Sequence, residues 1–230
     1  MIKIIVKCII LINNQYYLRT IIKANGNPII INLPITAGIA ALLKHLGIPD
    51  CCTASTQTFS NPTSIVTPDS GIADPYPSQI IVNGMSGVIE KVTVTLRNIN
   101  STFSNDLDIL LVGPQGQTLI LMSDAGGEGT ITNVTLTLDD IATNGLPFGA
   151  LLTSGTFKPS NYSTSDGADN WPNPSPIPPY GDPALGQGLS VFNNTNPNGV
   201  WNLYVVDDQT GDISSITGGW ELTITTSCPE

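Results

Sequence analysis

The sequence predicts an all-β sandwich or jelly roll, preceded by a small apolar amino-terminal segment with one short helix. Three observations predict it. Alternation with a period of two recurs after residue 79, at Val92, Val94 and Leu96, at Leu107, Ile109 and Leu111, at Val134, Leu136 and Leu138, and at Trp220, Leu222 and Ile224. Each such strand is expected to bury one face and show the other to water. No helical periodicity of useful length lies between Gln79 and Thr226, and the intervening turns are rich in Gly, Pro, Asn and Asp, as in sandwiches and jelly rolls. The composition is globular: 40% hydrophobic and 11% charged residues exclude a disordered chain. The length of 230 residues suits one domain of about 150 to 200 residues plus an appendage.

Charge narrows the function classes. Eight Lys and Arg face 18 Asp and Glu, a net charge of −10, which removes the electrostatic basis for a nucleic-acid partner. The charge is also uneven. Residues 1–50 hold Lys3, Lys7, Arg19, Lys23 and Lys44 against Asp50 alone, whereas residues 51–230 hold Lys91, Arg97 and Lys158 against seventeen acids. Two parts so different are expected to meet different surroundings. The single histidine, His45, lies in the cationic part, so the acidic part lacks the base for Ser-His-Asp or Cys-His chemistry and has no histidine ligand for zinc. His45 itself, near the end of the expected helix, reads as a capping or surface residue. A non-enzymatic protein is expected.

Along the chain, the opening run from Met1 to Ile12 is apolar but interrupted by Lys7, and no small-residue cleavage site follows it. It is read as structure rather than as a secretion signal. Ile29-Ile30-Ile31 follows the turn-like Asn25-Gly26-Asn27-Pro28, which predicts β-branched strands or an extended arm. Pro34 is expected to open a helix over residues 35–46, ended by Gly47 and Pro49. The nearly uncharged run 29–43 is shorter than the roughly 20 residues of a membrane span and is broken by Pro34, so a membrane partner is not expected. A segment of this size must bury its apolar residues against the following domain or against a partner subunit. Residues 51–78, rich in Thr, Ser, Pro, Asn and Asp, read as a linker or an extended edge segment, and residues 79–227 as the sandwich.

One region breaks the strand rhythm. Residues 161–187 contain Trp171-Pro172-Asn173-Pro174-Ser175-Pro176-Ile177-Pro178-Pro179-Tyr180, where the prolines deny ladder hydrogen bonds. A long ordered loop is expected, anchored by burial of Trp171. It is either a cover over a sheet edge or a ligand lid. In the second case Trp171 and Tyr180 are the contact residues, and exposed rings there would serve as a stacking platform for carbohydrate.

The stretch Val92-Thr93-Val94-Thr95-Leu96, then Asn105-Asp106-Leu107-Asp108-Ile109-Leu110-Leu111-Val112-Gly113-Pro114-Gln115-Gly116 and Leu121-Met122-Ser123-Asp124-Ala125-Gly126-Gly127, resembles the P domain (P/Homo B domain) of proprotein convertases in its bacterial form. The carboxyl end carries the resemblance further, with Asn198-Gly199-Val200-Trp201-Asn202-Leu203-Tyr204-Val205-Val206-Asp207-Asp208 leading to Gly218-Gly219-Trp220-Glu221-Leu222-Thr223-Ile224. It covers about residues 72–226 in collinear order. The resemblance implies a jelly-roll β-sandwich of the galactose-binding-like kind. It also implies a module that follows and stabilises a subtilisin-like protease, or one that stands in bacterial surface proteins. The preceding segment is too short to be that protease, so the sandwich is expected to act by binding or building.

Within this frame the expected function is that of a structural protein docking through residues 1–50, by a protein partner or as a homo-oligomer, on a larger assembly. A phage or virus particle is the assembly named first, with a virion or extracellular-surface location. The alternative is an accessory P domain for a separate subtilisin-like protease, or an adhesion or carbohydrate-binding module. Candidate metal ligands are Asp106 and Asp108, two apart at a strand entrance so that their side chains share one face, with Asp124 after the next strand. Three carboxylates suit a hard cation such as calcium. Asp207, Asp208 and Asp212 form a second acidic group. The competing reading is that these residues cap turns and keep the protein soluble. Of the cysteines Cys8, Cys51, Cys52 and Cys228, Cys51 or Cys52 is expected to staple to Cys228 across the sandwich, with reduced, buried thiols as the open alternative.

Overall fold

The computed structural model describes residues 3–24, 27–48, 51–162 and 169–228. They belong to two compact units, Met1–Thr53 and Ala54–Glu230. In the first unit, β1 (Lys3–Ile12), β2 (Gln15–Ala24) and β3 (Asn27–Ile35) form an antiparallel meander in the order β1-β2-β3. The first turn is Asn13-Asn14, with φ of 46° and 62°. Positive φ at both central residues is the two-residue hairpin turn that matches strand twist, and asparagine tolerates it. The segment is therefore a sheet with its own hairpins, not an arm.

Helix α1 (Ala37–His45) starts later than Pro34 leads one to expect. Pro34 closes β3 instead, and Thr36 is the N-cap, its hydroxyl accepting from the Ile39 backbone N–H at 3.3 Å. His45 is exposed in the last turn, a favourable place for a basic side chain at the helix's negative end. No helix among the described residues is long and apolar enough to cross a membrane. Cys8 is disulfide-bonded to Cys51, and the Cys51 backbone N–H donates to the Ile9 carbonyl at 2.7 Å. Of the two expected partners for Cys228, Cys51 or Cys52, this removes Cys51, because the strand pairing of β1 brings Cys8 to it. Cys52 and Cys228 are disulfide-bonded as well, so no thiol is left free among the described residues.

The second unit is an all-β sandwich. Residues 51–78, expected as a linker or an extended edge segment, supply β4 (Thr56–Asn61), β5 (Ile65–Val66) and β6 (Gly71–Ile72), each at the end of a sheet, and β7 (Ser78–Val82) follows. The chain continues through β8 (Val88–Phe103), β9 (Leu107–Val112), β10 (Thr118–Ser123), β11 (Glu128–Leu138), β12 (Gly155–Phe157), β13 (Ser160–Asn161), β14 (Gly199–Asp207), β15 (Ser214–Ile216) and β16 (Trp220–Ser227). One sheet runs β13-β10-β9-β14-β6, with β7 also on β14; the other runs β12-β11-β8-β15-β5, with β16 between β8 and β4. Long β8 pairs first with β16 and then with β15, so two shorter strands share one side of it.

Inward residues of both sheets, among them Leu96, Ile109, Leu111, Trp201, Leu203 and Trp220, make one buried cluster. Each such large side chain contributes about 1.5–3 kcal/mol on leaving water. Both indoles of this cluster are satisfied: Trp201 Nε1 donates to the Pro197 carbonyl and Trp220 Nε1 to Ser78 Oγ, both at 3.0 Å.

β9 departs from the expected alternation, because all six of its residues are buried. Its outer residues Leu110 and Val112 join Ile120, Tyr204, Val206 and Trp171 in a second cluster. The described part of the proline-rich loop lies over this outer face. Tyr76 donates to the Pro172 carbonyl at 2.9 Å, Tyr204 to the Pro174 carbonyl at 3.2 Å, and the Ile120 N–H to the Gly181 carbonyl at 2.8 Å. Gly181 is required at that contact, since a Cβ there would lie 2.2 Å from the Thr118 carbonyl oxygen. The loop thus covers this outer face and, through Gly181, the edge of β10 as well.

Candidate functional site

The carboxylates gather at one end of the β9–β14 pair, and the register explains why. β14 runs antiparallel to β9 with Val206 opposite Asp108 and Asp207 opposite Leu107, and the Asp208 N–H donates to the Asp106 carbonyl at 3.1 Å. The end of β14 therefore meets the start of β9, and two acidic groups a hundred residues apart in sequence become one pole. β10, antiparallel to β9 on its other side, ends at Ser123 and delivers Asp124 with a φ of 53°.

The pole has two sides, which regroups the sequence candidates. On β9 the core takes Leu107, Ile109 and Leu111, so Asp108 alternates to the outer side with Leu110. Burial raises the Asp108 carboxyl well above its ordinary range, and the charges of Asp169, Asp208 and Asp124 raise it further, against a hydrogen bond from Ser123. Ser123 Oγ lies 3.2 Å from Asp124 Oδ2 and 2.9 Å from Asp169 Oδ1. Asp207 alternates inward with the core residues of β14 and is 0% exposed. Thr67 Oγ1 donates to its Oδ2 at 3.4 Å, while its Oδ1 is buried with no hydrogen-bond partner. Burial, then the charge of Asp106, pushes Asp207 up to about 7; the Gln209 backbone and Thr67 pull it back, and Asp208 adds a smaller push.

Asp106 and Asp108 thus do not share one face as expected. Asp106 belongs to the 3-10 turn Ser104–Asp106, which interrupts the period of two before β9 begins. Its charge bears on Asp207, while Asp124 bears on Asp108. Asp208 acts on both sides. Asp212 acts on neither of these two carboxyls. Asp169, just before Trp171 in the long loop, was not singled out by the sequence. Only its position next to the buried anchor could have signalled that it would be held against the sheet.

No lysine or arginine acts on Asp108 or Asp207. Two of the three sandwich cations are engaged elsewhere, Lys91 with Asp139 at 2.8 Å and Arg97 with Glu221 at 2.6 Å. The donor set is all oxygen, which fits a hard cation and not a soft one. The orphaned Asp207 Oδ1 is the kind of atom such an ion would satisfy. Among the described residues, however, no three histidine, cysteine or acidic side chains already stand as a metal cage.

The loop aromatics do not form a sugar platform. Trp171 is 3% exposed and packs edge-on against half-buried Tyr180, with ring centroids 5.1 Å apart. Burial that anchors the loop is the burial that withholds the ring from a ligand.

No family model and no curated protein matches the chain. Among solved structures it is similar to the serine protease of Aeromonas sobria. In the complex of that protease with the chaperone ORF2 the identity is 11% and the TM-score 0.36, over 94% of this chain and 37% of that chain. For the protease structure the identity is 10% and the TM-score 0.35, over 92% of this chain and 37% of that chain. The relation is distant, and the chain spans little more than a third of the length of those neighbours.

Proposed function

We propose that the chain is a non-enzymatic binding module, a P-domain-like sandwich whose acidic pole takes a calcium ion and which serves as an accessory to a separate subtilisin-like protease. The observations that carry the ion are the buried carboxyl of Asp108, crowded by Asp124, Asp169 and Asp208 on the outer side of the pole, and the partnerless Oδ1 of Asp207 on its inner side. Six carboxylates at one pole repel each other, and a divalent ion offsets that repulsion. Calcium would be held by Asp108, Asp124, Asp169 and Asp208, supplying structural cross-linking of β9, β10, β14 and the loop rather than chemistry on a substrate. The accessory role is supported by the collinear residues of β8 to β16 that resemble the P domain. The module is taken to be non-enzymatic because the sandwich has no histidine base. Docking on a phage or virus particle draws no support from the fold or from the neighbours.

One experiment tests both parts: thermal melting of the chelator-treated chain, and heat inactivation of a subtilisin-like protease mixed with it, each with and without calcium. With 10 mM calcium the melting point is expected to rise by about 3–10 °C, as for a site with Kd on the order of 0.1–1 mM. Asp108→Asn is expected to lose most of that rise. The protease half-life is expected to lengthen only with chain and calcium together. An unshifted melt in wild type removes the ion, and an unchanged half-life removes the accessory role.

A further inference from the structure

The first unit has two sheet edges, and they are not equivalent. The β1 edge is engaged, because the Cys51 N–H donates to Ile9 and the Cys8–Cys51 disulfide holds that segment to the strand. No strand among the described residues pairs with the other side of β3. In the β2–β3 hairpin the pair Ala24–Asn27 encloses two residues, and the register runs unshifted from there to Tyr16–Ile35. The closing pair of a two-residue hairpin is the hydrogen-bonded kind. Residues 27, 29, 31, 33 and 35 therefore turn their backbone groups toward β2, and residues 28, 30, 32 and 34 turn theirs toward the open edge. Pro28 and Pro34 fall on the outward set, where a missing N–H costs no ladder bond within the unit.

The geometry points to β3 as a self-pairing edge through which two copies of this chain associate about a twofold axis at Ile31. About that residue the outward pattern reads alike in both directions: Pro28 mirrors Pro34, and Ile30 mirrors Asn32. An antiparallel copy sets Ile30 of one chain opposite Asn32 of the other, which gives four N–H···O bonds, and sets proline against proline where neither has a donor. The same register makes the apolar pairs Ile29–Leu33 and Ile31–Ile31. Moving it by two residues either way keeps the bond number but shortens the overlap of the two β3 strands from nine residues to seven, so full overlap of Asn27–Ile35 selects the symmetric register.

Charge does not oppose this occupant. Residues 1–48 carry five cations and no acid, yet β3 carries no charged side chain. Two cationic units can meet along this strip without opposing like charges. Ile29, Ile30, Ile31 and Leu33 are 51%, 55%, 39% and 53% exposed, an apolar edge of the sort that is normally blunted or paired. The contact is isologous and uses the β3 edge of both copies, while the other edge, β1, is engaged by Cys51, so it closes as a dimer instead of growing into a fibre. A single strand pair is a small interface, and dissociation in the micromolar range is expected.

Sedimentation velocity of the full chain from about 1 to about 100 µM reads this directly. A monomer–dimer equilibrium that persists in high salt is expected. Ile31→Lys, which sets two ammonium groups across the axis, is expected to weaken it at least tenfold. Should that variant fold poorly, Ile31→Cys provides an independent readout. Cβ atoms in a directly opposed non-hydrogen-bonded pair stand about 4.5–5.5 Å apart, so an interchain disulfide forms readily there and not with Leu42→Cys on exposed α1. A monomer at every concentration overturns the proposal, as does equal cross-linking at both positions. Association that salt abolishes and Ile31→Lys leaves intact also overturns it, and means that the cationic unit docks on the acidic unit of another copy.

Discussion

Asp207 occupies a position that strand alternation assigns to the core, and with Asp108 it is one of the two carboxyls whose burial at the acidic pole costs the fold. Between about pH 4 and about pH 7 the folded chain keeps a proton on Asp207 that the unfolded chain has released, since burial and Asp106 raise its folded value to about 7 from 3.8. Stability is therefore largest below that window and is lost as the pH rises through it, by an amount on the order of 2–4 kcal/mol. In chelator, the melting point is expected to fall from pH 4.5 to pH 8, and Asp207→Asn to flatten the decline. Calcium should flatten it too if the pole binds the ion, because the ion supplies the missing counter-charge. A decline just as steep in Asp207→Asn would assign the effect to another group. The sequence made Asp106, Asp108, Asp124, Asp207 and Asp208 legible as candidates because aspartates at strand ends are few. It did not show which acids act together, because the 3-10 turn at Ser104–Asp106 resets the alternation just before β9.

At the scale of the element, the proline-rich loop and β9 explain each other. β9 reads as Leu-Asp-Ile-Leu-Leu-Val, and the apolar Leu110 and Val112 at outward positions signal a second covered face. The loop supplies the cover, pinned by Trp171 and by tyrosine hydroxyls that donate to carbonyls which the prolines leave without strand partners. Trp171→Ala is expected to cost about 3 kcal/mol in unfolding free energy. It should also open residues 169–181 to proteolysis and raise binding of an apolar dye at Leu110, Val112 and Ile120. A variant as stable and as protease-resistant as wild type would mean that the hydroxyl bonds alone hold the loop. The loop's existence was legible from its prolines. Its place on a face was not, since sequence carries no address for a segment without periodicity.

At the scale of the whole molecule, the chain divides into a cationic unit with a sparse core and an acidic unit with a dense one. In the first, Cys8, Ile9 and Ala40 are the buried apolar residues among those whose side chains are described, and a unit of about fifty residues gains from a staple. The Cys8–Cys51 disulfide, with a sequence separation of 43, contributes about 4 kcal/mol in the chain-entropy account. All three tryptophans, Trp171, Trp201 and Trp220, lie in the second unit. Replacing Cys8 and Cys51 together by serine is thus expected to melt the first unit, seen as lost strand signal in far-ultraviolet dichroism, while tryptophan emission keeps its native transition. A joint loss of both signals would show that the sandwich depends on the small unit.

The sequence by itself determined the class of the second unit, four of the strands that build it and the exclusion of histidine-based chemistry, while the turn it marked at Asn25-Gly26 lies outside the described residues. Those features rest on local physics: side-chain period, turn chemistry and the identity of side chains that can titrate near neutrality. Tertiary structure alone decided that the end of β14 lies against the start of β9, that Asp169 comes home to Ser123, that Cys51 bonds Cys8, and that β3 keeps an open edge. Each of these depends on strand register between segments distant in the chain. Register is set by how two apolar faces fit together, a pairwise property that no single stretch of sequence contains.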